Sequence, residues 1–381
     1  MKPSPIVQLH ELGQSVWLDN ISDGLIQSGE LARLIAEGSV YGVTSNPTIF
    51  KNAIGSDQDS YPAEIVRLAT LGKSPEEIYE ELAVRDITRT ADLLADVYRR
   101  GSGRDGFVSL EVSPELGDDT AGTIEQARSY WRRVNRPNLF VKVPGTAAGI
   151  PAIETLIAEG ISVNVTLIFG RKQYMAVAQA FARGIERRLE AGGSVQGLHS
   201  VASLFVSRLD TSVDKELEAK AEAADTVADR ERFLNLRGAA AVANALDVWE
   251  EYRKRFFGAA FEPIGGRGAR PQWMLWASTG TKNPAYSDLK YVVELQGPDS
   301  INTMPRETLD AFLDHGVVEG NRLDPRLETA RMTRRVLADA GISLEAHCAK
   351  LLDDGVQLFQ KSYRDLIDVI RERSAALMQR R

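Results

Sequence analysis

Short runs of β-prone apolar residues alternate along the chain with longer stretches whose apolar residues recur every three or four positions. The first pattern is typical of buried strands and the second of amphipathic helices. Tyr174, Val177, Phe181, Ile185 and Leu189 form one such helical series. Eight strands are predicted, at Ser15–Asp19, Tyr41–Asn46, Gly106–Val112, Leu139–Val143, Ile161–Ile168, Val201–Val206, Pro271–Ala277 and Tyr291–Leu295.

The alternation of strand and helix predicts parallel β-α-β units, because parallel neighbours need a crossover connection between them. Eight such units are the number that closes a barrel, so the predicted fold is α/β, a (β/α)8 TIM barrel with additional helices. A doubly wound open sheet is the alternative that the pattern alone leaves open. Ser74, Pro75 and Glu77 supply an N-cap, a first-turn proline and a capping-box glutamate, which predict a helix running to about Arg99.

The last part of the chain, from about Arg326 to Arg381, has a helical pattern throughout. We expect these helices to pack on the barrel as a C-terminal extension, so that residues 1–381 form one (β/α)8 domain. The pattern does not define the role of the extension. It also leaves the oligomeric state open between a monomer and a homodimer.

Polar residues interrupt five of the apolar strands, and they lie on one face near the carboxyl end of each strand. Because side chains alternate between faces, Lys142 lies opposite Leu139, Val141 and Val143. In a barrel the aliphatic row packs under the helices, and the other face points into the interior, whose carboxyl-terminal mouth holds the active site. Burying a lysine and carboxylates without a function is costly. We therefore expect a functional site formed by Asp19, Asn46, Glu111, Lys142, Asn164 and Thr166.

A lysine at the mouth of a barrel has a specific chemical use. A neutral amine attacks a carbonyl to give a Schiff base, which is an electron sink for breaking or forming a carbon–carbon bond. Two carboxylates in different environments can carry different protons, one for imine formation and one for the hydroxyl beside the breaking bond. Lys142 is therefore the predicted nucleophile, with Asp19 and Glu111 as proton carriers. An ion pair of Lys142 with either carboxylate is the structural alternative, and it is compatible with the catalytic interpretation.

The composition of the chain argues against several classes of function. The chain has 46 Lys+Arg against 53 Asp+Glu, a net charge of −7, which argues against a nucleic-acid partner. No run of about 18 apolar residues predicts a membrane span, and the first residues lack the apolar core of a signal peptide. The single cysteine, Cys348, cannot form an intrachain disulfide, and the four histidines lack the spacing of metal ligands. These features predict a cytoplasmic protein without a metal site or membrane partner.

Five sequence blocks resemble those of the transaldolase family, and the resemblance covers nearly the whole chain. The blocks are Thr44–Phe50, Val108–Val112, Lys142–Pro144, Gly160–Leu167 and Ser203–Arg208. The resemblance implies a class I, Schiff-base-forming aldolase barrel that uses no metal and no organic cofactor. It also implies transfer of a dihydroxyacetone unit from sedoheptulose 7-phosphate to glyceraldehyde 3-phosphate, giving erythrose 4-phosphate and fructose 6-phosphate. The expected partners are therefore the small sugar phosphates of the non-oxidative pentose phosphate pathway.

The resemblance also implies the catalytic roles. Lys142 resembles the Schiff-base lysine of the family, and Asp19 resembles the residue that handles the proton of the C4 hydroxyl. Glu111 resembles the residue that acts through a water molecule, which is held together with Thr166.

Other matching residues imply substrate binding. Asn46 and Asn164 resemble groups that bind the dihydroxyacetone hydroxyls, and Ser203 and Arg208 match positions at the substrate and its phosphate. A guanidinium group suits that place because it offers a forked donor pair to a dianion. Phe205 occupies a position where related fructose 6-phosphate aldolases carry a tyrosine. An apolar ring cannot position a hydrolytic water, which favours transfer over simple cleavage.

The chain departs from the family pattern after its seventh predicted strand. Family members commonly carry Ala-Ser-x-Arg there, with the arginine binding phosphate, whereas this chain reads ASTGTK from Ala277 to Lys282. Ser278 matches the pattern, but no arginine lies two residues further on. We predict that Lys282 reaches the phosphate instead. Three functions are compared below: a transaldolase, a fructose 6-phosphate aldolase with the same Schiff base, and a non-catalytic sugar-phosphate-binding barrel.

Overall fold

The structure is a computed structural model that describes residues 3–55 and 61–378. Its strands are β1 (Gln14–Leu18), β2 (Gly42–Val43), β3 (Val108–Glu111), β4 (Leu139–Pro144), β5 (Val163–Ile168), β6 (Ser200–Phe205), β7 (Trp273–Ala277) and β8 (Ser300–Met304). Each strand pairs in parallel with the next along the chain, and β8 pairs with β1, so the sheet closes into a barrel. The predicted (β/α)8 barrel is confirmed, and the open-sheet alternative is wrong.

Helices connect the strands and extend both ends of the chain. Those before β6 are α1 (Pro5–Leu12), α2 (Asp23–Gln27), α3 (Glu30–Ala36), α4 (Pro47–Gly55), α5 (Tyr61–Thr70), α6 (Pro75–Arg100), α7 (Thr120–Val134), α8 (Gly149–Glu159) and α9 (Arg171–Glu190). Those after β6 are α10 (Ser207–Glu222), α11 (Val227–Leu234), α12 (Ala240–Phe256), α13 (Glu262–Gly265), α14 (Lys290–Glu294), α15 (Arg306–His315), α16 (Leu327–Asp339) and α17 (Leu344–Met378). Within residues 3–55 and 61–378, no helix combines the length and the apolar character that crossing a bilayer requires.

The long helix α6 begins as its sequence predicts. The backbone N–H of Glu77 donates to Ser74 Oγ at 3.2 Å, and the backbone N–H of Ser74 donates to Glu77 Oε2 at 2.8 Å. This capping box gives partners to backbone groups that a helix start otherwise leaves unpaired. The helix ends at Arg100, one residue beyond the expected end.

The predicted eighth strand at Tyr291–Leu295 is wrong. Most of this segment belongs to the short helix α14, and the eighth strand lies further along the chain as β8. The β-branched and aromatic residues of the segment pack beside α10 instead, where the Tyr291 hydroxyl donates to Asp210 at 2.9 Å. The true strand is harder to detect because it carries polar residues. One of them, Asn302, is fully buried and accepts a hydrogen bond from Thr279 at 2.8 Å.

Aromatic rings fill the amino-terminal half of the barrel. The ring centroids of Phe107 and Phe140 are 4.3 Å apart, and Trp17 lies 6.2 Å from Phe140. The imidazole of His199 meets Phe107 edge-on at 5.0 Å. A Cβ atom at Gly42 would lie 2.6 Å from the Trp17 indole, so glycine leaves the room that this ring occupies. The opposite, carboxyl-terminal end therefore rests on a packed apolar base.

His199 makes the stability of the barrel sensitive to acid. Burial, together with the positive charge of Arg270, lowers the pKa of its imidazole to about 4, whereas an unfolded chain has a histidine pKa of about 6.5. Below pH 6.5 the unfolded state therefore binds a proton that the native state does not bind. The free energy of unfolding should fall as pH drops, by about 2 kcal/mol at pH 5 from this residue alone.

The variant His199→Phe should lose this component, because a phenyl ring fills the site and binds no proton. Urea unfolding at pH 7.5 and pH 5 measures the loss of stability in both proteins, and the wild type should lose more. An equal loss in both proteins would show that His199 does not titrate in this range.

The last helix, α17, crosses the carboxyl-terminal mouth of the barrel. Near its start, Cys348 Sγ donates to the carbonyl of Phe169 at 3.3 Å, just beyond the end of β5. Further along, Ser362 Oγ accepts a hydrogen bond at 2.9 Å from the hydroxyl of Thr48, which lies on α4. The segment from about residue 326 is helical as predicted, apart from the break between α16 and α17, and its last three residues lie outside the described part of the chain. Helix α17 thus covers part of the carboxyl-terminal end of the barrel.

Candidate active site

A cavity of about 240 Å³ lies at the carboxyl ends of the strands. Nine of the eleven predicted site residues line it: Asp19, Asn46, Lys142, Thr166, Ser203, Phe205, Arg208, Ser278 and Lys282. The lining also includes residues that the sequence did not single out, namely Thr44, Thr48, Ile49, Ala277, Gly280, Thr303, Pro305, Leu358 and Phe359. Glu111 lies beside the cavity and Asn164 lies beneath it, as described below. Within residues 3–55 and 61–378, no group of three or more His, Cys, Asp or Glu side chains is placed to hold a metal ion.

Lys142 projects from β4 into the interior, and only 5% of the residue is exposed. Its Nζ donates to the backbone carbonyl of Ser45 at 3.0 Å and lies 3.0 Å from Glu111 Oε2. The ring centroid of Phe359 is 5.9 Å from the same nitrogen. The ion pair that was the structural alternative is therefore present. The same geometry places a carboxylate where it can exchange a proton with the amine.

Glu111 ends β3 and lines a second, smaller cavity of about 10 Å³, enough for about one water molecule. Burial raises the pKa of its carboxyl, the charge and hydrogen bond of Lys142 lower it, and the charge of Asp19 raises it. Phe359 lines this second cavity as well as the first. Glu111 thus contacts the amine without lining the main cavity, and the Phe359 ring lines both cavities.

Asp19 follows β1 and faces the main cavity. Its Oδ1 accepts a hydrogen bond from Thr44 Oγ1 at 2.6 Å, and that hydroxyl lies 2.7 Å from Thr303 Oγ1. Burial raises the pKa of Asp19, whereas the charges of Lys142 and Lys282 and the hydrogen bond from Thr44 lower it. Thr44 lies in the same inward row as Asn46, so strand alternation contained the signal that could have identified it.

Asn164 lies one layer deeper than the cavity lining. The residue is fully buried, its Nδ2 donates to Ser109 Oγ at 3.0 Å, and its Oδ1 accepts from Ser203 Oγ at 2.7 Å. The structure therefore shows Asn164 orienting the Ser203 hydroxyl. Direct contact of Asn164 with a substrate hydroxyl stays a prediction. Thr166 Oγ1, by contrast, is buried and has no hydrogen-bond partner among the described residues.

Asn46 combines a structural bond with a place in the lining. Its Oδ1 accepts from the backbone N–H of Ile49 at 3.0 Å, which holds the turn that begins α4. This bond uses one side of the amide and leaves the Nδ2 group unused by the turn. An amide donor at this position matches the hydroxyl-binding role that was predicted for Asn46.

Two cations line the cavity at the ends of β6 and β7. Arg208 lies in the first turn of α10, half-buried, with its guanidinium carbon 5.6 Å from the Phe205 ring centroid. Burial lowers its pKa, because the charged guanidinium is partly removed from water. Lys282 is exposed on the loop between β7 and α14. Neither cation is ion-paired to a carboxylate within the described residues, so the pair is free to bind an anion.

Ser278 holds the end of β7 against the start of α10. Its φ angle of +55° is in the left-handed region, which costs about 1–3 kcal/mol for a residue with a side chain. Its carbonyl accepts from the Ser207 backbone N–H at 3.1 Å, and the two hydroxyls are 3.1 Å apart. These contacts fix the position of Arg208, the next residue along α10, relative to the loop that carries Lys282.

Comparisons with known proteins agree with this arrangement over nearly the full length. The family model described as Transaldolase/Fructose-6-phosphate aldolase matches residues 16–370. The chain is 45% identical over 373 residues to a protein named Transaldolase from Thermobifida fusca, with 98% of this chain and 99% of the relative covered. It is 46% identical over 356 residues to a Transaldolase from Thiobacillus denitrificans, covering 93% and 96% of the two chains. A Transaldolase from Mycolicibacterium smegmatis is 44% identical over 363 residues, with 95% of each chain covered.

Proposed function

The chain belongs to the transaldolase/fructose-6-phosphate aldolase family, and we propose that it catalyses the transaldolase reaction through a Schiff base on Lys142. As a transferase of aldehyde and ketone residues, it moves a dihydroxyacetone unit from sedoheptulose 7-phosphate to glyceraldehyde 3-phosphate. The products are erythrose 4-phosphate and fructose 6-phosphate. The observation that carries the proposed mechanism is the nearly fully buried amine of Lys142, which lines a 240 Å³ cavity and lies 3.0 Å from Glu111.

Imine formation needs a neutral amine and a route for protons. Lys142 gives a proton to Glu111, and its nitrogen then attacks the C2 carbonyl of the donor ketose. The carbonyl oxygen takes up two protons, one from the attacking nitrogen and one from Glu111. It then leaves as water, and the carbon–nitrogen double bond forms. Glu111 suits both proton transfers, because burial raises its pKa while its contact with the amine keeps it within reach. The unpartnered hydroxyl of Thr166 is available to hold the water through which Glu111 acts.

Cleavage then uses the second carboxylate. Asp19 accepts the proton of the C4 hydroxyl, the C3–C4 bond breaks, and its electron pair moves into the imine to give an enamine on Lys142. The aldehyde product leaves, and an acceptor aldehyde adds to the enamine to give a new imine on Lys142. Water then adds to the imine carbon, the carbon–nitrogen bond breaks, and the product ketose and the free amine are released. The hydrogen bond from Thr44 holds the Asp19 carboxylate in one orientation toward the cavity, which favours proton transfer along a single path.

The cations at the ends of β6 and β7 place the phosphate of the substrate. Arg208 has a forked set of donors and no protein counterion within the described residues, so a phosphate dianion supplies the charge that it lacks. Ser203, Asn46, Asn164 and Ser278 are the residues that we assign to the sugar hydroxyls, Asn164 through its bond to Ser203. The apolar ring of Phe205 gives no hydrogen bond to a hydrolytic water.

Lys282→Ala should raise KM for phosphorylated substrates about tenfold, the effect of losing one charge-assisted hydrogen bond. KM for unphosphorylated analogues should change much less, because these lack the dianion that the lysine binds. Steady-state assays with both substrate types measure the difference, and Lys282→Arg should retain most of the affinity. Equal increases for both substrate types would contradict the assignment of Lys282 to the phosphate.

Transfer is separated from simple cleavage by the need for an acceptor. With fructose 6-phosphate and erythrose 4-phosphate together, we expect continuous formation of glyceraldehyde 3-phosphate and sedoheptulose 7-phosphate. With fructose 6-phosphate alone, glyceraldehyde 3-phosphate should stop at about one equivalent per site. A fructose 6-phosphate aldolase would continue to release dihydroxyacetone without an acceptor, and a non-catalytic binder would give no product in either case.

A further inference from the structure

One side chain of the C-terminal helix is shared by the two cavities of the site. Phe359 lines the 240 Å³ cavity with Lys142 and also the 10 Å³ cavity with Glu111. Only 3% of Phe359 is exposed, and its ring centroid is 5.9 Å from Lys142 Nζ. The ring is therefore a common wall beside the ion pair on which the proposed chemistry depends.

The sequence of α17 holds this ring close to the barrel. Gly355, one turn before Phe359, packs against β5, where an added Cβ would lie 3.1 Å from the Leu167 side chain. Leu167 itself has a φ angle of +57°, at the point where β5 shifts register against β6. One turn beyond Phe359, the hydrogen bond between Thr48 and Ser362 fixes the helix to α4. Residues three or four apart share a helix face, so these contacts hold the face of α17 that carries Phe359 against the barrel.

The proposed reaction gives the Phe359 ring a specific role. Between the two halves of the transfer, Lys142 carries a three-carbon enamine that has two possible fates. An acceptor aldehyde can add to it, which completes transfer. Alternatively, the enamine carbon takes a proton to give an imine, and a water adds to the imine carbon. The carbon–nitrogen bond then breaks, the water oxygen becomes the ketone oxygen, and the amine and free dihydroxyacetone are released.

We propose that Phe359 is a specificity-determining residue that favours transfer over hydrolysis by keeping solvent on the Glu111 side away from the enamine on Lys142. This inference rests on the proposed function and extends it to the C-terminal helix. The small cavity has space for about one water molecule beside Glu111, in addition to the water that Thr166 is proposed to hold in the main cavity. The phenyl ring separates that space from the substrate cavity, and it offers water no hydrogen bond in return.

Phe359→Ala should raise the ratio of dihydroxyacetone release to transfer by about tenfold or more. Release is measured as turnover of fructose 6-phosphate without acceptor, and transfer as turnover with erythrose 4-phosphate. Both rates are measured on the same preparation, so a loss of folded protein changes them equally and leaves their ratio unchanged. Phe359→Leu restores apolar bulk and should return the ratio most of the way to the wild-type value. If Phe359→Ala is unstable, Phe359→Val replaces it, because valine removes less volume. The ratio of release to transfer should rise in this variant too.

Leu366→Ala is the matched control. Leu366 is fully buried on the same helix but lines neither cavity, so its truncation weakens the packing of α17 without opening the wall. Its ratio should stay at the wild-type value. An unchanged ratio in Phe359→Ala, or an equal rise in Leu366→Ala, would overturn the inference while leaving the transaldolase function in place. A wild-type chain without transfer activity would instead overturn the proposed function, and this inference with it.

Discussion

Lys142→Ala is expected to abolish transfer, with kcat falling by at least about 10⁴-fold while the barrel stays folded. No other described lysine lies within the cavity except Lys282, which binds the phosphate in our proposal, so no second amine is placed to form the imine. Folding should survive because Glu111, left without its cation, can take up a proton; burial already raises its pKa. Steady-state transfer assays and thermal unfolding monitored by circular dichroism measure the two properties.

A surface lysine supplies the control for this substitution. Lys172 on α9 has a side chain that is 87% exposed, and Lys172→Ala should leave both kcat and the unfolding temperature near their wild-type values. Retention of a tenth or more of the activity by Lys142→Ala would mean that another group, or another mechanism, carries the carbon–carbon bond chemistry.

Asp19→Asn and Glu111→Gln should each slow turnover by about 10²- to 10⁴-fold, but at different steps. An amide keeps the shape of the carboxylate and cannot accept a proton. Asp19→Asn should therefore form the imine with fructose 6-phosphate and stall before cleavage, with a six-carbon adduct accumulating. Glu111→Gln should stall earlier, because the amine loses its proton acceptor, and adducts of any length should form slowly.

Rapid mixing followed by borohydride quenching measures these steps directly. The length of the carbon chain on the reduced lysine identifies the intermediate, and the release of glyceraldehyde 3-phosphate in a single turnover reports cleavage. Glu115→Gln, on a carboxylate paired with Arg364 at the surface, should resemble the wild type throughout. Accumulation of the same intermediate in both variants would show that the two carboxylates do not divide the proton transfers as we propose.

Strand alternation was sufficient to predict which polar residues face the interior, because a period of two assigns every second side chain to one face. It does not predict how deep in the barrel each of these side chains lies. Asn164 and Thr166 share a face of β5, yet only Thr166 lines the cavity, while Asn164 lies below it and bonds Ser203. The depth of a residue depends on the tilt and stagger of the strands in the closed barrel, and no single strand contains that information.

Two features of the structure depend on contacts between distant parts of the chain. The segment from Tyr291 has the residue types of a strand, but it forms the helix α14, which packs beside α10. The true eighth strand, β8, was not predicted because it carries polar residues. Phe359 was missed for a similar reason. The apolar periodicity of α17 predicts a buried face, but it does not say which part of the barrel that face covers.

The central claim, that the amine of Lys142 forms an imine with a ketose phosphate, is tested most directly by borohydride reduction with fructose 6-phosphate, followed by mass spectrometry of the peptides. We predict a reduced sugar adduct on Lys142 and none at this site when either the substrate or the reductant is left out. The absence of an adduct under conditions that support transfer, or an adduct confined to a different lysine, would contradict the account.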